Sequence, residues 1–219
     1  MKLLETLTFL VSAGAFLCGM ILLFREGVPR RFRYYAYAAG CYMLEELWVT
    51  VNYLFGNGAQ DGLVTVRLFG FFGCLCFLLS AKMKDCNAAV PKGSKPAFSP
   101  LALCAPAVLI ALFAFYEVLS AAAVPWLTNV IGLVALSPAF FAAYFSMKHL
   151  LYVRKDASHG SILTDLLSLL FYAANIVYPI LALYVSRMGM AVTDLLIALF
   201  LFGMTVLCGR EGGKWKTRT

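Results

Sequence analysis

Seven apolar stretches alternate along the chain with short polar connections. They run over about Leu7 to Phe24, Tyr35 to Phe55, Leu63 to Ala81, Leu101 to Leu119, Leu127 to Val153, Ile162 to Val185 and Ala191 to Cys208. Each is close to the roughly 20 residues that a helix needs to cross a bilayer. A backbone facing lipid must satisfy its hydrogen bonds within its own segment, and the sequence lacks the ~10-residue alternating strands of a membrane barrel. The pattern therefore predicts helices throughout. The fold class expected is all-α, a polytopic membrane protein with seven transmembrane helices and a single domain over 1–219.

Composition agrees. With 62% hydrophobic and 13% charged residues and a mean hydropathy of +0.84, too little polar surface remains for a soluble fold. Seven spans consume most of the 219 residues, so any activity must reside in the bundle. The formal charge of +7 is accounted for by attraction to anionic headgroups rather than by nucleic acid.

The distribution of that charge sets an orientation. Fifteen of the 18 Lys and Arg fall in four segments, Arg25 to Arg33, Lys82 to Lys95, Lys148 to Lys155 and Arg210 to Arg218, which form every second connection. The intervening connections hold only Arg187. Cytoplasmic loops are enriched in Lys and Arg, so the N-terminus is expected outside and the C-terminus in the cytoplasm. The first apolar run follows Met1-Lys2, contains Glu5 and ends in basic residues without a small-residue cleavage site, so it is expected to be a retained span. A bacterial inner (cell) membrane is the expected location.

The longest connection, Lys82 to Pro100, holds Pro91, Pro96, Pro100, Gly93 and Ser94 and is expected to be a flexible linker. It divides three spans from four. A 3+1+3 arrangement would follow if halves 1–81 and 127–208 were joined by helix 101–119, as in transporters built from parallel repeats. Of the seven cysteines, five lie in apolar spans and Cys86 and Cys208 on the cytoplasmic side. Reduced thiols are expected there.

Intramembrane charge carries the candidate chemistry, because each such group costs about 2.5–3.5 kcal/mol at a helix centre. Glu45 and Glu46 lie near the middle of the second span. Glu46 shares its face with Tyr42, Thr50 and Tyr53, and Glu45 with Cys41, Trp48 and Asn52. Two carboxylates this close repel when both are ionised, which suits the pair to binding a proton or a cation. Arg67 in the third span is expected either to pair with Glu46 or to snorkel to the outer headgroups without touching either Glu. The sixth span carries a stripe, Asp165, Ser168, Tyr172, Asn175 and Pro179, at intervals of three or four residues. Asn129, Ser137 and Pro138 in the fifth span and Asp194 in the seventh add to it, and together they would line a polar chamber. Polar side chains also hold membrane helices together without any ligand.

Two outlines resemble known families. Seven spans with an outer N-terminus resemble the microbial rhodopsins, but the seventh span has no lysine to carry a retinal. Glu45-Glu46 followed by Phe145 and His149 resembles the CAAX-type intramembrane proteases, with Thr50 standing where that pattern has Arg. His149 lies about ten residues' rise from the depth of the carboxylates. The resemblance implies hydrolysis in which Glu and His share one water, and that difference in depth opposes it. No phosphate loop, zinc motif or serine-hydrolase elbow is present. The two histidines, His149 and His159, sit near the cytoplasmic surface, which excludes bis-histidine haem ligation. Neither cofactor nor metal is expected.

The leading expectation is a small permease for a polar or cationic solute, in which Glu45 and Glu46 bind either a proton or the cationic part of the solute and the stripe of the sixth span lines the path. A seven-helix receptor or sensor subunit, signalling to a separate cytoplasmic partner, shares the same residues. So do an intramembrane hydrolase and a scaffold that packs on a membrane partner or on a second copy of itself.

Overall fold

A computed structural model describes residues 2–24, 28, 30–55, 61–89, 99–122, 124–153, 159–184 and 187–215, with some helical side chains in these ranges outside the description. Its elements are α1 (Lys2–Phe24), α2 (Arg30–Phe55), α3 (Asp61–Ala89), a short 3-10 turn (Pro100–Leu103) running into α4 (Cys104–Ser120), α5 (Trp126–Val153), α6 (His159–Tyr184) and α7 (Arg187–Trp215). Among the described residues all regular structure is helical.

Five of these helices are long and apolar enough to cross a membrane: α1, α4 with its leading turn, α5, α6 and α7. The helices α2 and α3 are as long, at 26 and 29 residues, but carry more charge, with Arg30, Arg31, Arg33, Glu45 and Glu46 on α2 and Asp61, Arg67, Lys82, Lys84 and Asp85 on α3.

Burial runs opposite to that of a water-soluble protein. Leu3, Leu10, Leu17 and Phe24 along α1, Val108 and Val118 on α4, and Val134 and Phe141 on α5 are exposed, whereas Glu45, Glu46, Lys82, Lys148 and Asp165 are buried. An apolar exterior of this extent is stable against hydrocarbon and costly in water. The protein is therefore a multi-pass membrane protein by its surface as well as by its sequence.

Six helices form a ring in the order α1, α2, α3, α5, α6, α7, closed by α7 against α1. The remaining helix, α4, packs outside this ring against α5 and α6. Phe171, Tyr172 and Ile176 of α6, Tyr35 and Tyr42 of α2, Leu75 and Leu78 of α3, and Ile197, Leu201 and Met204 of α7 fill the interior.

Small residues let the backbones approach, as is common where helices pack in lipid. A Cβ on Gly70 of α3 would fall 2.8 Å from Glu45 Cβ and 3.1 Å from the Cys41 carbonyl oxygen. Both atoms belong to α2, and neither can swing away. Gly70→Ala should therefore cost about 1–3 kcal/mol by overpacking. Around Gly132 of α5 a Cβ would meet nothing within 4 Å. Gly132→Ala should be neutral or add up to about 1 kcal/mol through helix propensity. Thermal unfolding of both variants in detergent checks the contrast.

The helices outrun the apolar stretches that predict them. On α3 the helix continues to Ala89, so Lys82, Lys84, Asp85 and Cys86 are helical and not part of a linker. The expected flexible connection is thus shorter at its start, and residues 90–98 of it lie outside the described residues. Inward-facing Lys82 and Cys86, one turn apart and 1% exposed, prolong the buried face of α3 beyond its last apolar turn. All seven cysteines are free thiols. Burial pushes the Cys86 thiol above its usual range, opposed by the nearby Lys148 charge, so it stays protonated and unreactive at neutral pH.

Candidate functional site

The most concentrated buried charge lies where α3, α5 and α6 converge, towards the end of the bundle that carries the basic segments. Lys82 reaches in from α3, His149 from the second-last turn of α5 and Asp165 from the second turn of α6. Lys82 Nζ is 2.7 Å from Asp165 Oδ1. His149 Nδ1 is 2.5 Å from Asp165 Oδ2. A carboxylate can only accept, so the ammonium and the imidazole Nδ1–H both donate to it. Each carboxylate oxygen has its own donor. Side-chain exposure at Lys82 and Asp165 is 1% and 2%, so the pair is screened little by water.

Aromatic and polar neighbours extend the cluster. The Lys82 ammonium lies 5.5 Å from the centre of the Tyr35 ring on α2, within cation–π range. Tyr35 donates its hydroxyl hydrogen to Asp85 Oδ2 at 3.1 Å. Next to it, Lys84 Nζ donates to the Tyr34 hydroxyl at 2.7 Å. Both contacts join α2 to α3.

Deeper along the seam of α5 and α6 the polar line continues. Ser146 precedes His149 by three residues and Ser168 follows Asp165 by three, so each lies one turn further in on the same helix face. Ser146 and Ser168 flank the fully buried Tyr172 hydroxyl. Ser168 Oγ is 2.7 Å from the Thr164 carbonyl oxygen, to which it donates, and 3.0 Å from Met204 Sδ. Tyr172 Oη and Ser146 Oγ are both buried and are neighbours in this seam. Three hydroxyls thus lie together in the seam, shut away from bulk water.

The residues singled out from sequence fall at several places in this framework. Glu45 and Glu46 are buried near the middle of α2, 7% and 3% exposed, and Tyr42 is buried one turn from Glu46, edge-on to Phe171 of α6 with ring centroids 6.2 Å apart. Glu45 packs against the Gly70 backbone of α3. Asp165 joins Lys82 and His149, and Tyr172 lies two turns above it. Asn175 donates to the Phe171 carbonyl oxygen of its own helix at 2.8 Å, one turn before Pro179. Asp194 accepts from the Tyr178 hydroxyl at 3.1 Å, joining α6 to α7 at the opposite end. Asn52 donates to the Trp48 carbonyl oxygen at 2.9 Å, and that Trp48 is exposed. The side chain of Arg67 lies outside the described residues. Asn129 turns to the α4–α5 hairpin and bonds Glu117 and Ser120.

Sequence reasoning missed Lys82 by counting it among loop cations, and set His149 at the surface. Both are buried because Asp165 holds them. A usable signal was present: Lys82 follows the third apolar run directly, and the first basic residues of the other three segments can be checked in the same way for an acidic partner one or two turns inside a neighbouring span.

Comparison of the chain with protein-family models, with curated proteins and with solved structures gives no match.

Proposed function

We propose that this protein is a permease for a small polar or cationic solute, crossing the cell membrane seven times with its N-terminus outside and its C-terminus in the cytoplasm. The carrying observation is the buried Lys82–Asp165–His149 cluster, which ties α3 to α5 and α6. In a 3+1+3 arrangement α3 belongs to the first half and α5 and α6 to the second. A salt link between halves at the cytoplasmic end is a gate in its closed state, since separating the halves must first part these ions. Burial makes such a link all-or-none, because an ion left without its partner in a dry interior is costly.

Above the gate, Glu45 and Glu46 supply negative charge at mid-height, and the Tyr172 and Ser146 hydroxyls offer hydrogen bonds to a polar group. This combination suits a solute with a cationic and a hydrogen-bonding part, or a proton in place of the cation. Pro138 within α5 and Pro179 within α6 remove backbone hydrogen bonds in the two helices that would move, which eases their bending. The position of α4, outside the ring, is that of a helix joining two halves.

Reconstituted protein tests the reading. A panel of labelled amino acids, small primary amines and polyamines should contain a compound that accumulates in liposomes carrying the protein and not in empty ones. Binding of such a compound, seen by thermal shift, without any accumulation would assign the protein to the receptor class instead.

A further inference from the structure

The α4–α5 hairpin, at the end of the bundle away from the basic segments, holds a carboxylate that its own hairpin cannot neutralise. Glu117 is the one charged residue between Lys95 and Lys148. It sits half-buried in the last turn of α4. Asn129, in the first turn of α5 and 7% exposed, brings its amide nitrogen to 2.9 Å from Glu117 Oε2 and 3.2 Å from Ser120 Oγ. Ser120 Oγ in turn donates to the Glu117 carbonyl oxygen at 3.4 Å.

A donor count leaves a clear imbalance. Both amide hydrogens of Asn129 and the hydroxyl hydrogen of Ser120 are used within the hairpin. Two acceptors remain, Glu117 Oε1 and Asn129 Oδ1, each buried and without a hydrogen-bond partner among the described residues. Turning the amide over does not help. It would set Oδ1 against the carboxylate and leave the nitrogen idle. Surplus acceptors with a net negative charge are complemented by a cation, and by neither an anion nor an apolar group. The carbonyl end of the α4 dipole adds to the same negative potential.

We propose that Glu117 Oε1 and Asn129 Oδ1 form a binding site for a small cation, either an alkali metal ion or a primary ammonium group. Solvent or the remainder of the ligand completes the shell. The outlying position of α4 leaves this hairpin outside the ring of six helices, and the proposed orientation makes it an extracellular site. The site is separate from the Lys82 cluster and does not depend on transport.

The test uses the purified full chain in detergent and compares its unfolding temperature in sodium, potassium, methylammonium and choline chlorides at equal concentration. Choline is the reference, because its quaternary nitrogen is bulky and has no hydrogen to donate. Taking the difference between salts within each variant cancels any change in baseline stability. Wild type should show a saturable rise over choline, which Glu117→Gln abolishes and Asn129→Ser weakens at least tenfold in apparent affinity. A rise with methylammonium alone assigns an ammonium, and one with sodium or potassium assigns a metal ion. Four equal unfolding temperatures in wild type overturn the proposal, as does a salt difference that survives in Glu117→Gln. Should Glu117→Gln fail to fold, the wild-type comparison and Asn129→Ser decide. Failure here leaves the permease reading intact, because the panel uptake experiment does not involve this site.

Discussion

Asp165→Asn is expected to lower the unfolding temperature by roughly 10 °C or more. The substitution keeps the shape of the side chain, removes its charge and replaces one of its two acceptor oxygens by an NH2 donor. Lys82, 1% exposed, then holds an ammonium in a dry interior with no counter-ion, and breaking a buried pair in this way costs about 3–5 kcal/mol. His149 loses the acceptor that orients it. The double variant Lys82→Met with Asp165→Leu removes both charges together. It should recover most of the loss, since replacing a whole buried ion pair by apolar groups is often close to neutral. Thermal unfolding in detergent of the single and double variants measures both effects. A shift below about 2 °C for Asp165→Asn would show that the cluster does not hold the three helices together.

Glu46→Gln is expected to reduce solute accumulation by roughly 30-fold or more, since removing the charged partner of a desolvated cation costs about 2–5 kcal/mol. Glu46 is 3% exposed on the inward face of α2, in line with buried Tyr42. The control is Glu5→Gln. Glu5 is half-buried in the first turn of α1, at the end of its helix and away from mid-height, so its loss should change accumulation less than about twofold. Initial rates of uptake of the panel compound into liposomes, at matched protein density, check the pair. Equal effects of the two substitutions would reject a role for the mid-membrane carboxylates.

Much of the helical framework was legible because an apolar run of about 20 residues has few alternatives in a chain this poor in charge. What the hydrophobic pattern could not show is where a helix continues past its apolar run. Lys82 follows the run of the third span directly and was counted with the loop cations, although Asp165, 83 positions later, holds it inside the protein. A charge tally treats every lysine alike, and only the fold brings such distant partners together. Asp165 itself was legible as part of a stripe on α6, but its role was not, because its helical neighbours Ser168, Tyr172 and Asn175 point to no counter-ion. Asn52 shows the reverse failure. Helical spacing put it with Glu45, yet its amide is satisfied by the carbonyl oxygen one turn back, as polar side chains in helices often are. Glu117 was passed over although no other charge lies between Lys95 and Lys148. Its isolation was visible in the sequence, and its pairing with Asn129 across the α4–α5 turn required the structure.

The account turns on whether the interior of α2 can be reached from water, and from which side. In a background with the seven cysteines replaced, a cysteine placed at Glu46 is challenged with a membrane-impermeant thiol reagent applied to one face of sealed vesicles at a time. If the Lys82–Asp165–His149 cluster acts as the proposed gate, labelling should come from the extracellular face alone, and adding Asp165→Asn should admit the reagent from the cytoplasmic face. Protection from both faces, with and without Asp165→Asn, would contradict the account and make the carboxylate pair part of a dry helix seam.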